Sequence, residues 1–355
     1  MKKIMISLLI IPIVLAGCVQ KEILDDVNLE TGSAYDYVGN KIRGTALVPV
    51  YLPDKAVENK TFSATSTLSR DFLRDVQRQS SDPLVTGSLK VVLFGEQLAK
   101  KKGILDLIDS FQRDSSIGAV LYLAVTEGEA KDLIEGNYGK RGNAVYLSNL
   151  IRHNMETKDM PKTNLQLFLF DFYQNGKTPY LPRIRSIGED QIEISGISFF
   201  NIGRVVDTIP AAKMFYFKLL VDEYSKGTLK VKLGKERVSV ESIRSKFKMR
   251  LASRNPHTVN VQLKVKAVLN EYSGNLVTPQ KIKGIEKNLQ KEIEFECEKL
   301  IKRFQQEDID PVGFGHFVKS KTRGFNFKKW GNVGYQQLKV NVRADVSITE
   351  SGVIQ

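Results

Sequence analysis

The stretch TPQKIKGIEKNLQKEIEFECEKLIKRF, residues 278–304, predicts one long helix near the end of the chain. Thr278 supplies an N-cap hydroxyl, and Pro279 suits the first turn, where a backbone N–H is not needed. Apolar residues then recur at spacings of three and four, the pattern of a helix with one buried face. These residues are Ile282, Ile285, Leu289, Ile293, Cys297, Leu300, Ile301 and Phe304. The span from Ile282 to Phe304 predicts about 34 Å of helix.

The segments on both sides of this helix have the alternation of half-buried strands. Val259, Val261, Leu263 and Val265 alternate with polar residues before the helix, and the same pattern runs from Leu338 to Ile348 after it. Strand, helix and strand pack most simply as an α+β sandwich with the helix laid across the sheet. Cys297 lies on the apolar stripe of the helix, so we interpret it as a core thiol.

Earlier in the chain, short apolar runs alternate with amphipathic segments. This alternation is typical of an α/β or α+β domain whose sheet is covered by helices. The predicted strands are residues 89–94, 119–125 and 165–170, and the predicted helices are residues 67–76, 104–111, 129–135 and 144–156.

Residues 176–188 are richer in glycine and proline than the segments before them, which predicts a loop or a domain boundary. The residues concerned are Gly176, Pro179, Pro182 and Gly188. A smaller unit follows, and the turn at residues 253–256 ends it. Its predicted elements are a strand at 192–200, a helix at 211–224 and strands at 228–233 and 238–249. The sequence therefore predicts an N-terminal domain at residues 18–188, a middle domain at 189–256 and a C-terminal domain at 257–355.

The first 18 residues predict an exported lipoprotein. Lys2 and Lys3 precede an apolar run that is too short to span a bilayer but suits an export signal. The run closes with the lipobox Leu15, Ala16, Gly17 and Cys18. We predict a signal peptide at residues 1–17 and lipidation of the Cys18 thiol. Two acyl chains on one cysteine would give durable anchoring.

Composition excludes several classes of protein. The chain has 355 residues, 42% of them hydrophobic and 26% charged, and a formal charge of +13. It is neither a disordered polyelectrolyte nor a multi-pass membrane protein, because no later apolar run approaches the roughly 18 residues of a spanning helix. Of its two cysteines, Cys18 is assigned to lipid, which leaves Cys297 without a disulfide partner in the chain.

A search for catalytic motifs finds no nucleotide-binding P-loop, no Gly-x-Ser-x-Gly elbow and no His-Glu-x-x-His segment. The histidines, at positions 153, 257 and 316, are too sparse to indicate a metal site. Asp25-Asp26 and the pair Asp308 and Asp310 lie next to turns, where carboxylates are usually solvated or capping. Asp310, which precedes Pro311 and a glycine-rich turn, is interpreted as a structural cap. We therefore expect no catalytic residues, no metal and no cofactor.

Three basic clusters provide a lead to partners: residues 100–102, 319–323 and 328–329. The last two lie near Phe317, Phe325, Phe327 and Trp330, a composition typical of single-strand nucleic-acid binding. Export argues against nucleic acid and favours an anionic membrane surface, where each Lys or Arg contributes on the order of 1 kcal/mol. The alternative is that these basic side chains form a solvated face that binds no partner. Removal of Lys2 and Lys3 with the signal would lower the charge from +13 to +11.

The order and spacing of several segments resemble a known family, the Ger(x)C lipoproteins, which are the C subunits of spore germinant receptors. The resemblance covers nearly the whole chain. The segments that carry it are the lipobox, residues 21–36, 89–96, 103–106, 111–114, 123–133, 179–184, 196–200 and 310–315, Trp330 and the final strand.

The resemblance implies an elongated three-domain α+β protein, each domain a mixed or antiparallel sheet packed with helices. It also implies a lipid-anchored, non-catalytic subunit on the outer face of the spore inner membrane. Such a subunit assembles with two integral membrane subunits, A and B, to sense nutrients. The alternatives are a lipid-anchored solute-binding protein that serves a transporter and an anchored cell-wall hydrolase, for which no catalytic acid stands out.

Overall fold

The structure is a computed structural model that describes residues 27–53, 56–66, 71–234, 236–254, 257–274 and 277–351. The predicted signal peptide, Cys18 and the predicted helix cap at Thr67 lie outside these residues. The strands are β1 Asn28–Leu29, β2 Gly32–Val38, β3 Lys41–Tyr51, β4 Val57–Ser66, β5 Leu84–Val85, β6 Val91–Gly95, β7 Tyr122–Thr126, β8 Tyr180–Ser186, β9 Ile192–Asn201, β10 Arg204–Pro210, β11 Gly227–Leu233, β12 Glu236–Arg254, β13 His257–Tyr272 and β14 Lys339–Ser351.

Helices alternate with these strands through most of the chain. They are α1 Asp71–Gln77, α2 Leu105–Arg113, α3 Ala130–Ile134, α4 Asn143–Thr157, α5 Leu165–Tyr173, α6 Ala211–Val221, α7 Pro279–Gln306, α8 Phe314–Lys321 and α9 Phe327–Lys329. Two π-helical turns, Leu98–Lys102 and Trp330–Gly334, complete the regular structure of the described residues.

The first sheet has eight strands in the order β10-β9-β8-β7-β6-β2-β3-β4. Its central strands β2, β6, β7 and β8 are parallel, and antiparallel pairs close both edges. Helices cover both faces. On β6, Val91 and Leu93 join one hydrophobic core while Val92 and Phe94 join the other. This double burial explains the continuous apolar run in the sequence.

The second sheet has four strands in the order β11-β12-β13-β14, and only β13 and β14 run parallel. Helix α7 lies across it and buries the stripe Ile285, Leu289, Ile293, Cys297, Leu300, Ile301 and Phe304. The prediction of a strand, a long helix and a strand is confirmed. Thr278 accepts the hydrogen bond from Lys281 N, as an N-cap should.

The two sheets share one hydrophobic core. Phe199 on β9, Phe217 on α6 and Phe304 on α7 form a triangle of ring contacts, with centroids 4.9 to 5.7 Å apart. These edge-to-face contacts couple the first sheet to the long helix through α6.

Strand pairing crosses both predicted domain boundaries. Residues on either side of position 188 share the first sheet, because β8 pairs with β9. Residues on either side of position 256 share the second, because β12 pairs with β13. The division at 18–188, 189–256 and 257–355 stays a prediction, while the multidomain α+β class is confirmed.

The predicted strand at residues 165–170 is wrong, because these residues begin helix α5. Asn164 caps it by accepting a hydrogen bond from Leu167 N at 2.8 Å. Leu165 and Phe168, three residues apart, are buried against the first sheet. The segment LQLFLFDFY is apolar on almost every side, so its pattern resembled that of a buried strand.

Candidate interaction site

The glycine-rich turn at residues 310–315 is organised by the Asp310 carboxylate. Its Oδ1 accepts hydrogen bonds from Gly313 N at 2.8 Å and Phe314 N at 2.9 Å, and Oδ2 accepts one from Gly315 N at 2.7 Å. Burial raises the pKa of Asp310 to about 6, although the three N–H donors act in the opposite direction. The interpretation of Asp310 as a structural cap is confirmed, since it closes the start of α8.

This turn is hydrogen-bonded to the loop 174–178, which leads from helix α5 to strand β8 of the first sheet. Thr178 N donates to the Asp310 carbonyl at 2.9 Å, and Asp310 N donates to Thr178 Oγ1 at 2.8 Å. His316 N donates to the Gly176 carbonyl at 3.1 Å. A Cβ on Gly315 would lie 2.8 Å from Trp330 Nε1 and 3.0 Å from Gly176 Cα, so glycine is required there. The end of α5 and the start of α8 are thus held side by side.

Aromatic rings near the basic C-terminal clusters pack against the core, where Phe317, Phe325 and Phe327 are half-buried. Phe325 lies 4.9 Å from Phe327 and 5.3 Å from Trp330 between ring centroids, and Trp330 lies 5.4 Å from His257. Trp330 and Tyr335 are buried, and their rings also meet. These rings therefore form a cluster of mutual contacts rather than a row of separate exposed rings.

Cationic side chains remain on the surface above these rings. We call residues 319–328 the basic segment; its exposed cations are Lys319, Lys321, Arg323 and Lys328. The Lys319 ammonium lies 5.4 Å from the centroid of Phe327. Arg254 at the end of β12 donates to the Lys321 carbonyl at 3.2 Å, which fixes the backbone next to this charge.

Helix α5 carries an exposed apolar stripe that the sequence reasoning missed. Leu167, Phe170 and Tyr173 are 40%, 60% and 63% exposed, and their spacing of three puts them on one side of the helix. Asn164, a residue type typical of helix N-caps, is the feature of the sequence that indicates a helix here. A helix over these residues has a second apolar face besides the buried one.

The end of α5 lies beside the start of α8, the helix that continues into the basic segment. The loop 174–178 ends α5 and bonds to the Asp310 turn, and α8 leads directly into the basic segment. Gln174 also contacts the His316 ring. Apolar side chains beside exposed cations suit contact with a protein partner or with a bilayer surface.

The first basic cluster, residues 100–102, lies elsewhere on the first sheet. Lys100 Nζ lies 2.7 Å from Glu96 Oε1, which also pairs with Arg183 Nη2 at 2.8 Å. Burial opposes ionisation of Glu96, but Lys100 and Arg183 outweigh it and lower the pKa of this carboxylate. Lys100 is therefore partly neutralised.

Asp36 repeats the capping chemistry of Asp310 in the first sheet. Its carboxylate accepts from Ala130 N at 2.7 Å and Lys131 N at 2.9 Å, the first two residues of α3. Arg43 Nη2 lies 3.3 Å from the Asp36 Oδ2 atom. Two aspartates that carry the family resemblance thus hold helix ends rather than a substrate.

The remaining sequence candidates lie apart from this surface or within the core. Cys297 is completely buried, and burial raises the pKa of its thiol far above the ordinary range, so it is a core thiol as predicted. His153 lies on α4 beside Thr157. Within the described ranges, no group of three His, Cys, Asp or Glu side chains is arranged to hold a metal ion. No helix there is both long and apolar enough to cross a bilayer.

The fold and this surface define a multidomain α+β protein with aspartate-capped helices and an exposed face that is apolar and basic. Two family models match it: the spore germination protein N-terminal domain over residues 20–186, and the spore germination B3/GerAC-like C-terminal domain over residues 195–352. The chain belongs to this spore germination family, the GerC proteins.

Individual relatives are similar in sequence to the chain along nearly its whole length. The chain is 35% identical to spore germination protein GerQC of Bacillus cereus, with 99% of each chain covered. It is 22% identical to the putative spore germination protein YfkR of Bacillus subtilis, covering 98% of this chain and 96% of the relative. A crystal structure of the GerBC protein shares the fold with a TM-score of 0.61 at 16% identity, covering 89% of this chain and 96% of that one.

Proposed function

We propose that this chain is the lipid-anchored, non-catalytic C subunit of a nutrient germinant receptor. It is attached through Cys18 to the outer face of the spore inner membrane and assembles there with the two integral membrane subunits, A and B. The observation that carries the proposal is the full-length similarity to spore germination proteins, since both family models together span nearly the whole chain.

The anchor position constrains the distance between membrane and fold. Nine residues lead from Cys18 to residue 27, and a fully extended chain of that length spans at most about 30 Å. Strand β1 begins one residue later and pairs with β5 beside the first sheet. A lipid on Cys18 would therefore keep residue 27, next to the start of β1, within about 30 Å of the bilayer.

The surface chemistry supports a role in assembly at a membrane. The α5 stripe offers apolar and aromatic side chains for a partner, and the basic segment offers exposed cations for anionic headgroups. Asp310 in the glycine-rich turn and Asp36 on β2 both cap the ends of helices. We infer that the chain acts by binding rather than by catalysis.

Co-purification from spores tests the assembly. An affinity-tagged chain, extracted from the spore inner membrane in mild detergent, should recover two polytopic membrane proteins in stoichiometric amounts. A Phe170→Glu variant places charge on the α5 stripe and should reduce this recovery, whereas Ile187→Glu, at another exposed apolar position, should not. Recovery of an ATPase and a permease instead would favour the solute-binding alternative.

Germination assays test the biological role. Deletion of the coding sequence should abolish the response of spores to at least one nutrient mixture, and the wild-type chain should restore it. A normal response to every mixture in a strain without paralogues would contradict the proposal.

A further inference from the structure

A cavity of about 280 Å³ lies at the start of β2, on the side of the first sheet that α2 covers. Its walls come from the start of β2, from the link between β5 and β6, and from α2 with the residues that follow it. The residues that matter for its chemistry are Glu30, Tyr35, Leu107, Phe111, Asp114 and Ile117.

The most unusual group in this cavity is the carboxylate of Glu30, which is 1% exposed. Ser33 Oγ donates to Glu30 Oε1 at 2.5 Å. Among the described residues, no lysine, arginine or histidine forms an ion pair with Glu30. A carboxylate that is removed from water without a counter-ion is costly, so it creates a strong preference for a positively charged occupant.

Other features of the cavity walls also favour a positively charged ligand. Asp114 places a second carboxylate on the cavity, and the residues around it form the carbonyl end of α2, which favours cations. The rings of Tyr35 and Phe111, with centroids 6.0 Å apart, also line the cavity, and aromatic rings attract cations. Arg113 on the rim is bound to Asp109, with Nε 2.8 Å from Oδ2, and it is largely exposed.

The size of the cavity and its apolar walls favour an organic cation over a metal ion. The cavity is several times larger than the roughly 30 Å³ that one water molecule occupies in the liquid. Leu107, Phe111 and Ile117 cannot coordinate a metal ion, which requires six or more oxygen ligands in the case of calcium. These walls suit hydrocarbon instead.

We propose that this cavity binds a small organic cation with a primary ammonium group. The ammonium hydrogens bond to the Glu30 carboxylate, and the hydrocarbon part of the ligand packs on Leu107, Phe111 and Ile117. This site lies beyond the proposed function, which concerns assembly with membrane subunits.

Ligand-observed NMR titration of the full chain in detergent tests the site, with n-butylammonium chloride as the probe at pH 8. Burial raises the pKa of Glu30 to about 7, so the carboxylate is mainly ionised at this pH. An affinity on the order of millimolar is expected for so small a ligand. Glu30→Gln should weaken binding at least about tenfold, because the charge is lost while Ser33 keeps its acceptor. Glu189→Gln, on the exposed loop after β8, should bind like the wild type.

Two competitors complete the experiment. Neutral 1-butanol, which has the same hydrocarbon chain, should bind at least about tenfold more weakly than n-butylammonium, and potassium chloride should not displace the probe beyond an ionic-strength control with sodium chloride. Equal affinity of wild type and Glu30→Gln, specific displacement by potassium, or no measurable binding to the wild type would each overturn the proposal.

Discussion

At the scale of single residues, the buried carboxylates divide into two kinds. Asp36 and Asp310 are surrounded by backbone N–H donors and close the ends of helices. Glu30 has one hydroxyl donor and faces a cavity. The same chemical group therefore stabilises local structure in two places and offers a binding site in the third, because the number of N–H donors around it differs.

Replacing Asp310 by asparagine should destabilise the fold by about 2 kcal/mol. The amide has only one oxygen acceptor, so at least one of the three buried N–H groups loses its partner and meets an NH₂ group instead. Urea denaturation at pH 8 measures the change. Asp308→Asn, two residues away and exposed, is the matched control. Equal midpoints for the two variants would contradict the capping role.

Replacing Glu30 by glutamine should stabilise the ligand-free protein in a pH-dependent manner. Burial raises the pKa of Glu30 from 4.5 to about 7, so the folded state holds this proton more tightly than the unfolded state. The stability of the wild type should therefore decrease as the pH rises from 4.5 to 7. Glu30→Gln removes this penalty and should gain about 3 kcal/mol at pH 8 and almost nothing at pH 4.5.

Urea denaturation of both proteins at the two pH values provides the comparison, with Glu189→Gln as the control for loss of an exposed charge. A difference between wild type and Glu30→Gln that does not change with pH would show that Glu30 is not held in an unfavourable ionised state.

Replacing Cys18 by alanine should abolish incorporation of radiolabelled fatty acid, because the thiol that accepts the lipid is absent. Cys297→Ala retains Cys18 and serves as the control, since Cys297 is buried in the core. Labelling that survives Cys18→Ala would refute the lipid anchor.

At the scale of elements, helix α7 protects the outer edge of the second sheet. Among the described strands, β14 pairs only with β13, so alternate N–H groups on its other side lack strand partners there. Glutamates on α7 accept hydrogen bonds from three of them: Glu298 from Val342 N at 3.4 Å, Glu294 from Ala344 N at 3.0 Å and Glu286 from Ile348 N at 2.9 Å. Charged side chains at an edge also oppose pairing with another chain.

The double variant Glu294→Ala and Glu298→Ala should lower the free energy of unfolding by about 2 kcal/mol, roughly 1 kcal/mol for each lost hydrogen bond. It should also increase self-association through the uncovered edge. Urea denaturation and light scattering measure the two effects. Lys287→Ala, exposed on the same helix, controls for the change in helix propensity and should do neither.

At the scale of the whole molecule, the basic segment and the α5 stripe come from distant parts of the chain and are joined by the Asp310 turn. The net charge of +13 gave no position for a membrane contact. The fold gathers exposed cations at one place, because the aromatic rings of this region pack against one another and against the core while the cations stay outside.

Removing three of these cations should weaken binding to anionic vesicles about a hundredfold, because each contributes on the order of 1 kcal/mol near the surface. The variant changes Lys319, Lys321 and Arg323 to glutamine in a Cys18→Ala background, so that an acyl chain does not dominate binding. Vesicle flotation at low salt measures the partition coefficient.

The matched control changes Lys230, Lys232 and Lys246 to glutamine, which removes the same charge from strands β11 and β12. Equal losses in the two triple variants would indicate that only net charge matters and would contradict a contact at the basic segment.

The sequence by itself determined the elements whose pattern has one dominant signal. Helix α7 has a cap, a first-turn proline and an unbroken apolar stripe, and the flanking strands alternate strictly, so local chemistry specifies them. The role of Asp310 followed from its position before a proline and two glycines. Helix α5 was mistaken for a strand because it is apolar on nearly every side, which leaves no period to distinguish helix from strand.

Only the tertiary structure decided which distant residues meet. Pairing of β8 with β9 and of β12 with β13, the edge contacts of the α7 glutamates and the cavity around Glu30 all depend on long-range packing. Nothing in the segment around Glu30 distinguishes it from a solvated carboxylate. It becomes a candidate binding group because the sheet and α2 together exclude water from it, and exclusion of water is a property of the assembled fold.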